Sequence, residues 1–192
     1  MKQDNPPGRD LVWRTAEPEL IYRTNIFDLL SQETYTPRGG GPHRYTIVRA
    51  PDWINVIPVT PEGRVVLIRQ FRHGVGRVTL EVPGGEVDPG ETPEACTARE
   101  LQEETGFRAA TIAKLGEILP NPAFMTNTCH TFLATGCVKA AEQSPEDTEA
   151  IAVELEDLAR IPALIAEGRI EHSLVVVAFT HLSLKRPDLL QL

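Results

Sequence analysis

Cysteine is scarce. There are three in 192 residues, Cys96, Cys129 and Cys137, and no two form a CxxC pair. An odd, scattered set makes neither a disulfide framework nor a zinc site, and fits a reduced, cytoplasmic chain. No apolar run approaches the ~20 residues of a transmembrane helix, so no membrane partner is expected. The start, MKQDNPPGRD, has no hydrophobic segment and does not read as a secretory signal. Positive charge is also in deficit. Lys and Arg number 19 against 27 Asp and Glu, for a net charge of −8. That argues against a nucleic-acid partner, which needs a cationic surface. Repeats and low-complexity tracts are missing. What is left is 41% hydrophobic and 24% charged, near the averages of globular proteins. The length suits one compact domain with a small appendage.

Residues 1–18 are polar and proline-rich and read as a mobile arm. Leu20–Leu30 reads as one or two strands, and 37–42 (PRGGGP) as a loop. Strand-like runs follow at Tyr45–Arg49, Trp53–Val59, Val65–Phe71 and Val78–Val82, and Pro83-Gly84-Gly85 breaks the last. A helix follows: Thr92 suits the N-cap, Pro93 the first helical position and Gly106 the residue after the end. Ala95, Ala98 and Leu101 would form its inner face, with Cys96 also inward. Further strands are expected at Thr111–Leu119, Cys129–Ala134 and Ala150–Leu155, with an acidic loop at 145–149. Helices are expected at Leu158–Glu167, closed by Gly168, and at His172–Leu184. Strands mixed with a few helices give an α+β or α/β layered fold.

The chemistry concentrates in residues 81–107, EVPGGEVDPGETPEACTARELQEETGF. Glu100 and Glu104 are four apart and share a helix face, with Glu103 on its edge. Three crowded carboxylates destabilise a helix by a few tenths of a kcal/mol unless a cation lies among them. Carboxylate oxygen suits Mg²⁺ or Mn²⁺. The bland reading of such a cluster is a solvated acidic face. Arg72 is a candidate phosphate or sugar contact, because a guanidinium matches phosphate oxygens in a fork, and Arg69 a weaker one. Phe27 and Trp53 could stack on a base, but a core role fits both better; His73 and His130 read as structural.

The spacing decides between those readings. It runs Gly85, five residues, Glu91, seven residues, Arg99-Glu100-Leu101, one residue, Glu103-Glu104, one residue, Gly106-Phe107. This resembles the Nudix box, G-x5-E-x7-R-E-U-x-E-E-x-G-U with U apolar, at all nine specified positions. The resemblance implies a Nudix-type α/β/α sandwich with a mixed sheet over residues 46–192. A small N-terminal β region, residues 1–45, would pair subunits into a homodimer. It implies that Glu100, Glu103, Glu104 and the Gly84 carbonyl bind Mg²⁺ or Mn²⁺, while Gly85, Glu91, Arg99 and Gly106 are structural. In that role an Arg99–Glu91 ion pair orients Glu100, and the glycines permit positive φ and close backbone approach.

VVLIRQFR before the box, Glu81 just ahead of its glycines, Pro122 fifteen residues after Phe107 and the closing EGRIEHSLVVVAF resemble the ADP-ribose pyrophosphatase and nucleoside-diphosphate-sugar hydrolase branch. That branch would hydrolyse a nucleoside diphosphate sugar to a nucleoside monophosphate and a sugar phosphate. Arg72, Arg69, Glu81, Pro122 and Met125 would meet the substrate. The general base would come from the acidic loop: Glu149 first, then Asp147 and Glu146, with Glu100 as a further candidate. The loop from Asn121 to Asn127 departs from the sequence some ADP-ribose hydrolases carry, so GDP-mannose and other sugars stay open. Other activities compatible with the box are hydrolysis of a dinucleoside polyphosphate or an oxidised nucleotide. A nucleotide-sugar sensor that does not cleave is the reading from another class, and the intact box argues for catalysis.

Overall fold

The computed structural model describes residues 11–145 and 150–190. The chain forms two compact units, one of Met1–Pro51 with Leu119–Asn127, the other of Asp52–Ile118 with Thr128–Leu192. The expected boundary at 45/46 falls inside a strand of the first.

The first unit is a four-stranded antiparallel sheet of β1 (Arg14–Thr15), β2 (Glu19–Arg23), β3 (Asp28–Tyr35) and β4 (His43–Arg49). β3 is central: β1 and β2 share one edge and β4 lies along the other. The Thr24 hydroxyl shapes the β2–β3 turn by accepting from the Ile26 and Phe27 amides at 3.1 and 2.8 Å. The segment 119–127 joins this unit through β4, with Val48 donating to the Phe124 carbonyl and Thr126 to that of Val48. Two expectations need correction. The polar arm was to reach residue 18, yet Arg14 and Thr15 pair with β3, and the Arg14 guanidinium lies 4.5 Å over the Tyr35 ring. Phe27 is exposed at the turn rather than in a core.

The second unit holds a seven-stranded mixed sheet. Its order is β10 (Thr111–Ile118), β11 (Cys129–Thr135), β5 (Trp53–Val59), β6 (Arg64–Arg72) and β13 (Ile151–Asp157). β7 (Arg77–Glu81) pairs with β6, and β8 (Gly84–Glu86) with β5. β11 and β5 are parallel and the other pairs antiparallel. β9 (Phe107–Arg108) and β12 (Val138–Lys139) form a small ribbon. One face of the sheet packs on α1 (Pro93–Thr105), where Ile54, Val56, Val66 and Phe132 meet Cys96 and Leu101. The other packs on α2 (Ile161–Ala166) and α3 (Ser173–Lys185), where Ile57, Val59, Val65 and Leu67 meet Leu164, Ala178, Phe179 and Leu182. Alternate residues of β5 and β6 thus serve opposite cores, as strands covered on both faces require. A 3₁₀ turn at Leu158–Arg160 precedes α2, and a short α4 (Pro187–Leu190) ends the described chain.

Here too the structure corrects details. β7 does end ahead of Pro83, at Glu81, but Gly84 and Gly85 then begin a strand of their own, β8. Neither has positive φ. Gly84 is needed for close approach, because a Cβ there would lie 2.4 Å from the Ile54 carbonyl oxygen. Ala95 and Ala98 are exposed. The buried arc of α1 is Cys96, Thr97, Leu101, Glu104 and Thr105. The helix is rolled so that its carboxylate edge turns inward, and the alanines, with little surface to hide, take the outside.

Candidate active site

The site is built where β8 leads into α1. Thr92 caps the helix by accepting from the Ala95 amide at 3.2 Å, and Pro93 starts it. Gly106, at φ 71°, ends it by donating to the Gln102 carbonyl at 2.7 Å. These caps fix which turns carry the glutamates. Glu104, on the last turn, is 1% exposed, and its Oε2 accepts from the Gly84 amide at 2.9 Å. A carboxylate hidden this deeply costs several kcal/mol unless it is paired.

Arg99 organises the rest. Its Nε and Nη2 donate to the two Glu91 oxygens at 3.1 and 2.9 Å, and Nη1 donates to Glu100 at 2.7 Å and Glu103 at 3.1 Å. One guanidinium therefore gathers three carboxylates. The bonds to Glu91, above all, push Arg99 above its usual range, and the same bonds hold Glu91 below the carboxylate range. Gly85 makes room, since a Cβ there would lie 2.2 Å from Glu100 Oε1.

The donor set fits a hard divalent cation. Glu100, Glu103 and Glu104 stand on one helix edge, Glu104 against the Gly84 amide and Glu100 beside Gly85, and all three offer carboxylate oxygen rather than thiol or imidazole. As they stand, no three His, Cys, Asp or Glu side chains among the described residues are arranged to hold a metal ion, and Arg99 supplies the compensating charge for Glu100 and Glu103.

On the neighbouring strands, Arg72 and Glu81 form a forked pair, with Nε and Nη2 each 2.8 Å from a carboxylate oxygen. Thr79 Oγ1 donates to the same carboxylate at 2.6 Å. Burial pushes the Glu81 carboxyl up, but the hydrogen bonds from Arg72 and Thr79 outweigh it and the net shift is downward. Thr79 escaped the sequence reading, although its place two residues before Glu81 puts both on one strand face. Arg69 pairs with Glu154 at 2.6 Å across β6 and β13. Pro122 and Met125 belong to the first unit. Pro122 is exposed in a turn closed by the Phe124 and Met125 amides on the Asn121 carbonyl, and Met125 is half-buried against Val48. Glu146, Asp147 and Glu149 lie outside the described residues. His130, on β11, lies 3.2 Å from Asp52, which precedes β5, and 3.4 Å from Glu117 on β10. The three thiols are buried and unpaired. Burial raises Cys96 and Cys129 to about 12 and Cys137 to about 11, which leaves no nucleophile among them.

Known proteins resemble this chain over most of its length. The NUDIX domain model matches residues 49–176. The chain is 30% identical over 181 residues to the ADP-ribose pyrophosphatase of Bacillus subtilis (strain 168), covering 92% of this chain and 96% of that one. It is 30% identical over 174 residues to the methanol dehydrogenase activator of Bacillus methanolicus, covering 90% and 93%. Among solved structures, an ADP compounds hydrolase superposes with a TM-score of 0.81 at 20% identity, over 92% of this chain and 95% of that one.

Proposed function

The chain belongs to the Nudix family, and from that premise we propose that it is a pyrophosphohydrolase of nucleoside diphosphate sugars, ADP-ribose foremost. The observation that carries this reading is the complete box, with Glu100 and Glu103 held by Arg99 and Glu104 held by the Gly84 amide. Glu100, Glu103, Glu104 and the Gly84 carbonyl would hold Mg²⁺ or Mn²⁺. The cation, when bound, neutralises diphosphate oxygens and lowers the pKa of a coordinated water.

The chain's own residues do the rest. Glu91 holds Arg99, and Arg99 holds Glu100 in place. Arg72, and secondarily Arg69, meet the diphosphate or sugar, and Pro122 and Met125 are the remaining candidate substrate contacts. Glu149, or failing it Asp147, Glu146 or Glu100, takes the proton of the attacking water. The water oxygen bonds to one phosphorus, the bond from that phosphorus to the bridging oxygen breaks, and a nucleoside monophosphate and a sugar phosphate leave.

We further propose a homodimer formed through the first unit. All five residues of β2 are exposed, with Leu20, Ile21 and Tyr22 at 50, 55 and 64%, an apolar strand of the kind that association covers. Three unpaired cysteines, and no helix among the described residues long and apolar enough to cross a membrane, favour the cytoplasm. The test is a panel of nucleoside diphosphate sugars, dinucleoside polyphosphates and oxidised nucleotides with Mg²⁺ and Mn²⁺, scored for products. ADP-ribose or another nucleotide sugar should be turned over fastest, and no turnover of any diphosphate would overturn the proposal. Light scattering showing only a 21 kDa species would reject the dimer.

A further inference from the structure

Glu81 is a buried carboxylate on the strand before the box, used neither in binding the cation nor in activating water. The side chain of Glu81 is 3% exposed and that of Arg72 42%. The carboxylate lies underneath, and the Arg72 side chain is the more exposed partner. Both Glu81 oxygens are engaged, Oε1 by Arg72 Nε and Thr79 Oγ1, Oε2 by Arg72 Nη2. The antiparallel ladder of β6 and β7 fixes the backbones of all three residues.

We propose that Glu81 does not contact the substrate but acts through Arg72, as a positioning residue. This rests on the reading of Arg72 as a contact to the diphosphate or sugar. A fork bound along Nε and Nη2 fixes the plane of the guanidinium and so its direction. What the fork supplies is direction, and a lysine, with no plane to hold, cannot replace Arg72. Thr79 completes the device by holding Glu81 Oε1 from the same strand.

The experiment is a double-mutant cycle on wild type, Glu81→Gln, Arg72→Lys and the double variant. Two quantities are read: the Kd of ADP-ribose by calorimetry in EDTA, where no turnover occurs, and kcat/KM with Mg²⁺. Each single variant should lose about tenfold or more in both, and the double variant should match Arg72→Lys within about twofold. Losses that multiply would overturn the proposal, because a direct contact or a general structural role costs the same in either background. If Glu81→Gln does not fold, Thr79→Val replaces it. It should cost several-fold in the wild-type background and nothing in Arg72→Lys, and an equal cost in both would again overturn the proposal. A wild type that neither binds nor hydrolyses any nucleotide sugar refutes the functional reading and this inference together. A wild type that does both, with multiplying losses, refutes only the inference.

Discussion

Replacing Gly85 with alanine tests the carboxylate cluster most directly. Gly85 does not have positive φ, so alanine can adopt its backbone conformation. The loss of unfolded-state freedom then stabilises by ~0.4–1 kcal/mol. The new Cβ, however, would sit 2.2 Å from Glu100 Oε1 and 2.4 Å from its carboxyl carbon, where ordinary contact begins at 3.4 Å. The carboxylate must retreat by at least 3.4 − 2.2 = 1.2 Å. It can do so, because it is the far end of a flexible side chain, but the 2.7 Å bond from Arg99 is then lost. That pair is partly exposed, 30% and 13% on its two sides, and a solvent-screened pair contributes about 0–1 kcal/mol. The two stability effects nearly cancel, so Tm should move little. Catalysis should not escape, since a ~1 Å misplacement costs on the order of 100-fold in rate. Thermal melts beside kcat/KM and a Mg²⁺ titration should therefore show a folded, poorly active enzyme. Gly84→Ala is the contrast. Its Cβ would lie 2.4 Å from a backbone oxygen of Ile54, which cannot swing aside, and Tm should fall. A Gly85→Ala enzyme with wild-type kcat/KM would mean that the position of Glu100 does not matter and that the cluster is misread.

Glu104→Gln can still accept from the Gly84 amide, so the fold should persist, while kcat/KM falls by about 100-fold or more; near-normal turnover at saturating Mg²⁺ would reject Glu104 as a ligand. Glu149→Gln should lower kcat by ~10²–10⁴-fold with metal affinity unchanged, whereas Glu100→Gln weakens both. Loss of metal binding in Glu149→Gln would make Glu149 a ligand rather than the base. Glu81 and Glu91 titrate below the usual 4.5 in the folded chain, so their contribution is present above about pH 4.5 and lost as pH falls through the folded values. Melts should thus be flat from pH 7 to 5 and drop below, and Glu91→Gln should drop less steeply; an identical profile would show that Glu91 carries none of it. With folded thiol values near 11 and 12, iodoacetamide at pH 8 should leave the native chain unmodified and label all three cysteines once it is unfolded. Labelling of the native protein would contradict their burial.

The helix of the box was legible to the residue because its ends are written locally, in Thr92, Pro93 and Gly106. The strands were legible wherever Val, Ile and aromatics stood between Pro or Gly. What escaped was whatever depends on a partner distant in sequence. Gly84 and Gly85 look like a turn until β5 is laid beside them. The alanines of α1 look like a core face until Cys96, Leu101 and Glu104 are seen against the sheet. β9 and β12 are two-residue strands that exist only as each other's partners. The glutamates could be placed on one helix edge from spacing alone. Arg72 and Glu81 stood out as separate residues, and only the β6–β7 register joins them.

The first unit takes its last segment from far down the chain. Val48 exchanges backbone hydrogen bonds with Phe124 and Thr126, and the whole of β5 to β10 is made between them. On a ribosome adding roughly 5–20 residues per second, β4 waits several seconds for its partner to emerge. β1 to β4 are therefore synthesised before β5 to β10, but their unit is completed only after them. A fragment ending after residue 51 lacks that partner, and one starting at residue 52 leaves residues 119–127 without theirs. For the same reason no single cut in the sequence separates the two units, because residues 119–127 of the first are encoded between two segments of the second.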